Sequence, residues 1–113
     1  MKSIHIPRVI GIVLAILIVT TFPLSANAEK GVIVIMTRKC FVIDTNSGYV
    51  IVDGWVSASK GDTVIGNFNT YGSTEIFDSN GNDISGYIYI EDYGLSKYRL
   101  QDKWNDKYRD KCE

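Results

Sequence analysis

Histidine is the scarcest functional residue in this chain. The 113 residues hold one, His5, and it falls in a segment expected to be removed from the mature protein. Without an imidazole, Ser-His-Asp and Cys-His catalysis lose their general base, and the usual zinc sites lose a ligand. Cysteine is nearly as rare, with only Cys40 and Cys112. They are not in a C-x-x-C arrangement, so a thioredoxin-like redox role has no support. Basic charge is short as well. The formal net charge is -1, and loss of Lys2 and Arg8 would make the mature protein more acidic. General nucleic-acid binding needs a basic footprint and is not expected. The chain shows no internal repeat, low-complexity tract or family motif.

The N-terminal segment reads as an export signal. Lys2 and Arg8 form a short basic region, and Val9 to Thr20 is almost wholly apolar. Pro23 breaks the helix, and Ser25-Ala26-Asn27-Ala28 supplies the small residues that a signal peptidase reads. The expected division is a signal peptide over 1–28 and a single small domain over 29–113. The apolar run is short for a full membrane span of about 20 residues. The membrane is therefore expected as a partner only through the signal before cleavage, and the mature protein in the periplasm or outside the cell.

A domain of this size has a marginal core and often needs a staple. In an exported protein, two cysteines are most simply a pair. A Cys40–Cys112 bridge would close nearly the whole mature chain into a loop.

The order of elements is legible from β-branched runs and turn residues. Gly31–Thr37 reads as a strand, interrupted by the charges of Arg38-Lys39 and resumed over Cys40–Asp44. Thr45-Asn46-Ser47-Gly48 turns the chain into a return strand, Tyr49–Asp53. Asp53-Gly54 suggests a bulge or bend. Thr63–Phe68, Ser73–Phe77 and Ile84–Glu91 read as three more strands. The turn at Asp78–Asp83 has Asn-Gly at its centre. The first run reads as one long strand bent near Arg38 or as two short strands; taken as one, the count is five.

Ser96 can cap a helix over about 96–111, where glycine, proline and β-branched residues are absent. Leu100, Trp104, Tyr108 and Cys112 recur at every fourth position, a narrow apolar stripe among charges. Lys97, Lys103, Lys107 and Lys111 interleave with Asp102, Asp106 and Asp110 and are expected to pair along the helix. The fold class is mainly β: a small five-stranded antiparallel barrel, OB-like or SH3-like in pattern, with this helix packed on it.

The Cys40–Trp55 hairpin is apolar on both faces. Phe41 and Ile43 lie opposite Cys40 and Val42, and Val50 and Val52 opposite Tyr49 and Ile51. Neither face should meet water. One is expected to line the barrel and the other to lie under the helix, with Cys40 on the helix side.

Candidate sites are few. Asp53, Asp62, Glu75, Glu91 and Asp92 could in principle supply a glycosidase pair, but their spacing singles out no two. Asp78, Asn80 and Asn82 alternate as at the start of a calcium loop. The sixth position is Asp83 and the twelfth is Tyr89, so a hairpin turn is the better reading. Tyr49, Tyr71, Tyr87, Tyr89 and Tyr93 lie with Trp55 on or beside strands, where aromatics can stack ligands. The candidate ligand or partner surface is Tyr71, Tyr87, Tyr89 and Tyr93. No catalytic residue, metal or cofactor is expected. The expected role is a non-catalytic binding or interaction protein of the bacterial envelope. An oligosaccharide or peptidoglycan-fragment binder, a carboxylate hydrolase, and an inhibitor or immunity protein for one protein partner are the alternatives.

Overall fold

A computed structural model describes residues 27–113. The expected signal segment, residues 1–28, lies outside the described residues except for its last two. Six strands follow: β1 (Glu29–Met36), β2 (Cys40–Thr45), β3 (Gly48–Val56), β4 (Thr63–Gly66), β5 (Ile76–Asp78) and β6 (Ser85–Leu95). They form one antiparallel sheet in the order β5-β4-β1-β2-β3-β6. Within it, β4-β1-β2-β3 is the order of a Greek key. The sheet curls into a half-barrel. Backbone bridges at Gly72–Ile90 and Phe77–Asp83 draw its two ends together.

The expected five strands are six because the first run splits. At Thr37 the chain makes a tight turn: its N–H and hydroxyl both donate to the Cys40 carbonyl, and its hydroxyl accepts from the Cys40 N–H. Arg38 and Lys39 are the exposed tip of that turn. The third and fourth strands are shorter than expected, and Ser73–Glu75 is not a strand. The last is longer, running four residues past Glu91.

Two apolar layers sandwich the middle of the sheet. Inside the curl lie Ile33, Phe41, Ile43, Val50, Val52, Val64, Phe68, Ile76, Ile88 and Ile90. On the outer face, Cys40, Val42, Ile51 and Leu95 meet Leu100, Tyr108 and Cys112 from the helical segment. The β2–β3 hairpin is thus buried on both sides, as its two-faced apolarity requires. Phe41, Val42, Ile43, Val50, Ile51 and Val52 are all fully enclosed.

The outer layer depends on bulges. At β1, Ile33 faces Ile43 but Ile35 faces Val42, so Val34 is an extra residue. A bulge can turn two successive side chains to one side. Here Val34 and Ile35 both pack on the helix side. Along β6 the surplus is larger. Eleven residues, from Ser85 to Leu95, run beside eight of β3, from Tyr49 to Val56.

The helical segment begins as α1 (Lys97–Lys103), widens into a π-turn (Trp104–Tyr108) and ends as α2 (Arg109–Cys112). Ser96 caps it, its hydroxyl accepting from the Arg99 N–H. The π-turn follows from the sequence spacing. At 3.6 residues per turn, a residue at every fourth position drifts around the helix by about 40° per step. Leu100, Tyr108 and Cys112 would then leave the sheet in succession. A wider turn, in which the Arg109 N–H reaches back five residues to the Trp104 carbonyl, takes up that drift. All three residues are buried. The segment ends with Cys112 bonded to Cys40, their Cα atoms 5.2 Å apart.

Candidate functional site

The aromatic residues of β3 and β6 form the most exposed apolar surface on the sheet. Along β6, Ile88 and Ile90 point inward, so Tyr87 and Tyr89 point out. Tyr87 is 63% exposed and Tyr89 42%. Trp55 on β3 is 57% exposed. Gly54 faces Ile88 and Val56 faces Ser85, so Trp55 stands opposite two residues, Gly86 and Tyr87. This is a second bulge, and it has a definite use. A Cβ at Gly86 would lie 2.5 and 2.6 Å from Cδ2 and Cε2 of Trp55. Those are the ring-fusion atoms of the indole. The ring system is therefore centred over the bare backbone of Gly86, and only glycine leaves room for it. One face of the indole rests on the strand while much of the ring meets solvent.

Tyr71 and Tyr93 sit further along. The Gly72–Ile90 bridge brings Tyr71 beside β6. Its ring lies 4.7 Å from that of Tyr93, tilted by 58°, within the range of favourable aromatic pairs. Tyr71 is exposed, whereas Tyr93 is partly buried against the inner core. The expected tyrosine surface is therefore divided. Tyr87 and Tyr89 share an open face with Trp55. Tyr71 is open but paired with Tyr93, and Tyr93 packs against the inner core. Trp55 counts among the candidate aromatics by sequence, but its seat on the strand is not legible there. The signal was glycine at position 86, meaningful only once the register is known.

The candidate carboxylates have other employment. Another bulge along β6, at Glu91, turns Glu91 and Asp92 to the helix side together. There Lys111 pairs with Glu91 and lies 4.0 Å from Asp53, and Lys103 pairs with Asp92. The helix lysines were expected to pair with helix acids; these two reach across to the sheet instead. The basic helix and the acidic body are thus complementary surfaces of one molecule. The hydrogen bond from Lys111 to Glu91, followed by nearby negative charge, raises the pKa of the Lys111 ammonium. Burial, then the charges of Glu91 and Asp92, raise that of the Tyr108 phenol. Lys107 and Lys111 place their ammonium groups 5.2 and 5.8 Å from the Tyr108 ring centroid, a cation–π arrangement. Asp62 accepts from the Ser59 N–H, and Glu75 is exposed.

At the Asn-Gly turn, Asp78 Oδ1 accepts from the N–H groups of Asn80 and Asn82, and Oδ2 from the Asn82 side-chain amide. Those bonds, led by Asn82, lower the Asp78 pKa. Both carboxylate oxygens serve the turn. Among the described residues, no three His, Cys, Asp or Glu side chains gather as a metal site.

A scan against protein-family models matches none, and searches of curated proteins and of solved structures find no significant similarity.

Proposed function

We propose that this is an exported, non-catalytic binding protein of the envelope that takes its ligand on the outer β3–β6 face. The observation that carries this reading is the seating of Trp55 on Gly86, with Tyr87 and Tyr89 open beside it. A held indole meets a ligand without first losing side-chain freedom, so less of the binding energy is spent on ordering. Export behind Ala28 is supported by the signal-like N-terminus and is compatible with the Cys40–Cys112 bridge. A non-catalytic role is supported by the commitment of Asp53, Glu91 and Asp92 to lysines of the helix. The curl and its closing bridges support a small barrel of the OB-like or SH3-like kind, with six strands.

One observation favours an oligosaccharide as the ligand. A flat ring with an exposed face suits the apolar face of a sugar, and the side chains at this surface, Trp55, Tyr87 and Tyr89, are uncharged. The test uses the mature protein, residues 29–113, in a pull-down from envelope extract and on a glycan array. The triple variant Trp55→Ala, Tyr87→Ala, Tyr89→Ala should lose whatever the parent retains, while its circular dichroism stays unchanged. A retained protein partner, lost in the variant, would select an inhibitor or immunity role. Binding that survives in the variant would remove this face as the site.

A further inference from the structure

A second surface feature lies where the helical segment crosses the sheet, and it shares no residue with the Trp55, Tyr87 and Tyr89 face. Between the outer face of β1 and β3 and the segment α1–π-turn runs a groove of about 280 Å³. Its floor is Val34, Ile35, Tyr49, Leu100 and Trp104. The β1 bulge makes this floor, because it turns Val34 and Ile35 to the same side. The other lining residues are Lys97, Gln101 and Asn105. They stand four residues apart and form a polar lip along one side of an apolar trough.

That lip has a charge preference. No carboxylate lines the groove. Lys97 makes no ion pair among the described residues, unlike Lys103 and Lys111. Asn105 Oδ1 already accepts from the Arg109 guanidinium, which leaves the Asn105 amide NH₂ as a donor. An apolar floor, one free ammonium and amide donors beside it call for an elongated apolar body with one negative end. The volume is just under the roughly 300 Å³ at which drug-sized pockets begin, so the ligand must be small. The lip spans about 12 Å from Lys97 to Asn105 at the helical rise, which suits a chain better than a compact ring.

We propose that this groove binds a free medium-chain alkyl carboxylate, its hydrocarbon on Val34, Ile35, Leu100 and Trp104 and its carboxylate at Lys97.

Trp104 is the natural reporter. In the full mature domain carrying Trp55→Phe, it is the only tryptophan. Decanoate, decanol and decyltrimethylammonium are titrated below the concentrations at which each forms micelles. The expected result is a saturable shift of Trp104 emission with decanoate and none with the cation. Lys97→Gln, at an exposed position that leaves the fold intact by circular dichroism, should raise the decanoate dissociation constant about five- to tenfold through loss of a charge-assisted hydrogen bond. Equal binding of decanol and decanoate with no effect of Lys97→Gln would overturn the proposal, leaving a groove without a headgroup site. Absence of any response below the micellar threshold would overturn it too. Neither result bears on the aromatic face, which is read with a different variant.

Discussion

Opening the disulfide should remove a large share of the stability. Cys40 and Cys112 are 72 residues apart in sequence and 5.2 Å apart at Cα. In the chain-entropy account, a cross-link over that distance restrains the unfolded chain by about 4 kcal/mol. A typical domain has only about 5–15 kcal/mol in all. The reduced wild-type protein is the cleanest perturbation, because it keeps both sulfur atoms and changes only the link. The Cys40→Ala, Cys112→Ala double variant repeats the test without thiols. Urea unfolding should show a loss of about 4 kcal/mol and a melting temperature lower by about 15–30 °C. The m value should rise, since an uncrosslinked unfolded chain exposes more surface. If the helix leaves the sheet before the rest unfolds, Trp104 fluorescence will change ahead of the far-ultraviolet signal. A loss under about 1 kcal/mol with an unchanged m value would refute the reasoning. The packing of Leu100 and Tyr108 and the lysine pairs would then hold the helix without the bridge.

Two further expectations rest on single glycine contacts, and a third on four titrating groups. Gly54 has a φ of +127°, and a Cβ there would lie against the Tyr87 carbonyl oxygen. Gly54→Ala should cost about 3 kcal/mol or more in urea unfolding. Gly61→Ala, also at positive φ but with nothing within 4 Å, should cost about 1 kcal/mol; equal losses would show that backbone conformation alone matters at Gly54. Gly86→Ala should lift Trp55 from the strand, at a cost of about 1–3 kcal/mol, and move the indole resonances in an NMR spectrum. Unmoved resonances would mean that the ring is not seated there. Stability should also fall at both ends of the pH scale. The raised Tyr108 and Lys111 pKa values mean that the folded state holds these protons more tightly. Their contribution is complete below the ordinary phenol and ammonium pKa values, about 10, and is lost as pH rises through the folded ones. Asp78 and Asp83 are lowered, so theirs is complete above about pH 4 and is lost as pH falls. Urea midpoints across pH measure both limbs. Tyr108→Phe with Lys111→Met should flatten the alkaline one.

The parts legible in the sequence were those fixed by local alternation and by counting. Cys40, Phe41, Val42 and Ile43 are apolar in succession, and only a strand covered on both faces accommodates that. The place of the hairpin between two layers followed, as did Cys40 on the helix side. Two cysteines allow one intramolecular pairing. The Ser96 cap and the four-residue stripe located the helix. What stayed hidden was set by distant partners. The last strand reads as ending at Glu91, because Asp92 and Gly94 are turn-type residues and two successive carboxylates sit poorly in a strand without partners. Lys103 and Lys111, on another element, do so, and β6 runs on to Leu95. The bulges were equally opaque. An extra residue in a strand shows only against its partner's register, so Val34, Gly86 and Glu91 could not be seen to share a role. The candidate aromatic face was half read for that reason. Strand parity put Tyr87 and Tyr89 on one side, but the seat of Trp55 on Gly86 shows only in the register.

The double coverage of the β2–β3 hairpin bears on how the molecule comes apart. Its inner side chains belong to one apolar layer and its outer ones to the other. Neither layer can be exposed through this hairpin without loosening the other, so the two melt as one cooperative unit. The amides of Val42 and Ile51 should then exchange with heavy water only through global opening. Those of Ser73–Glu75, in the stretch between the Gly72 and Phe77 bridges, should exchange far sooner. Hydrogen exchange would thus trace a slow spine through the centre of the sheet and a fast margin along its closing seam.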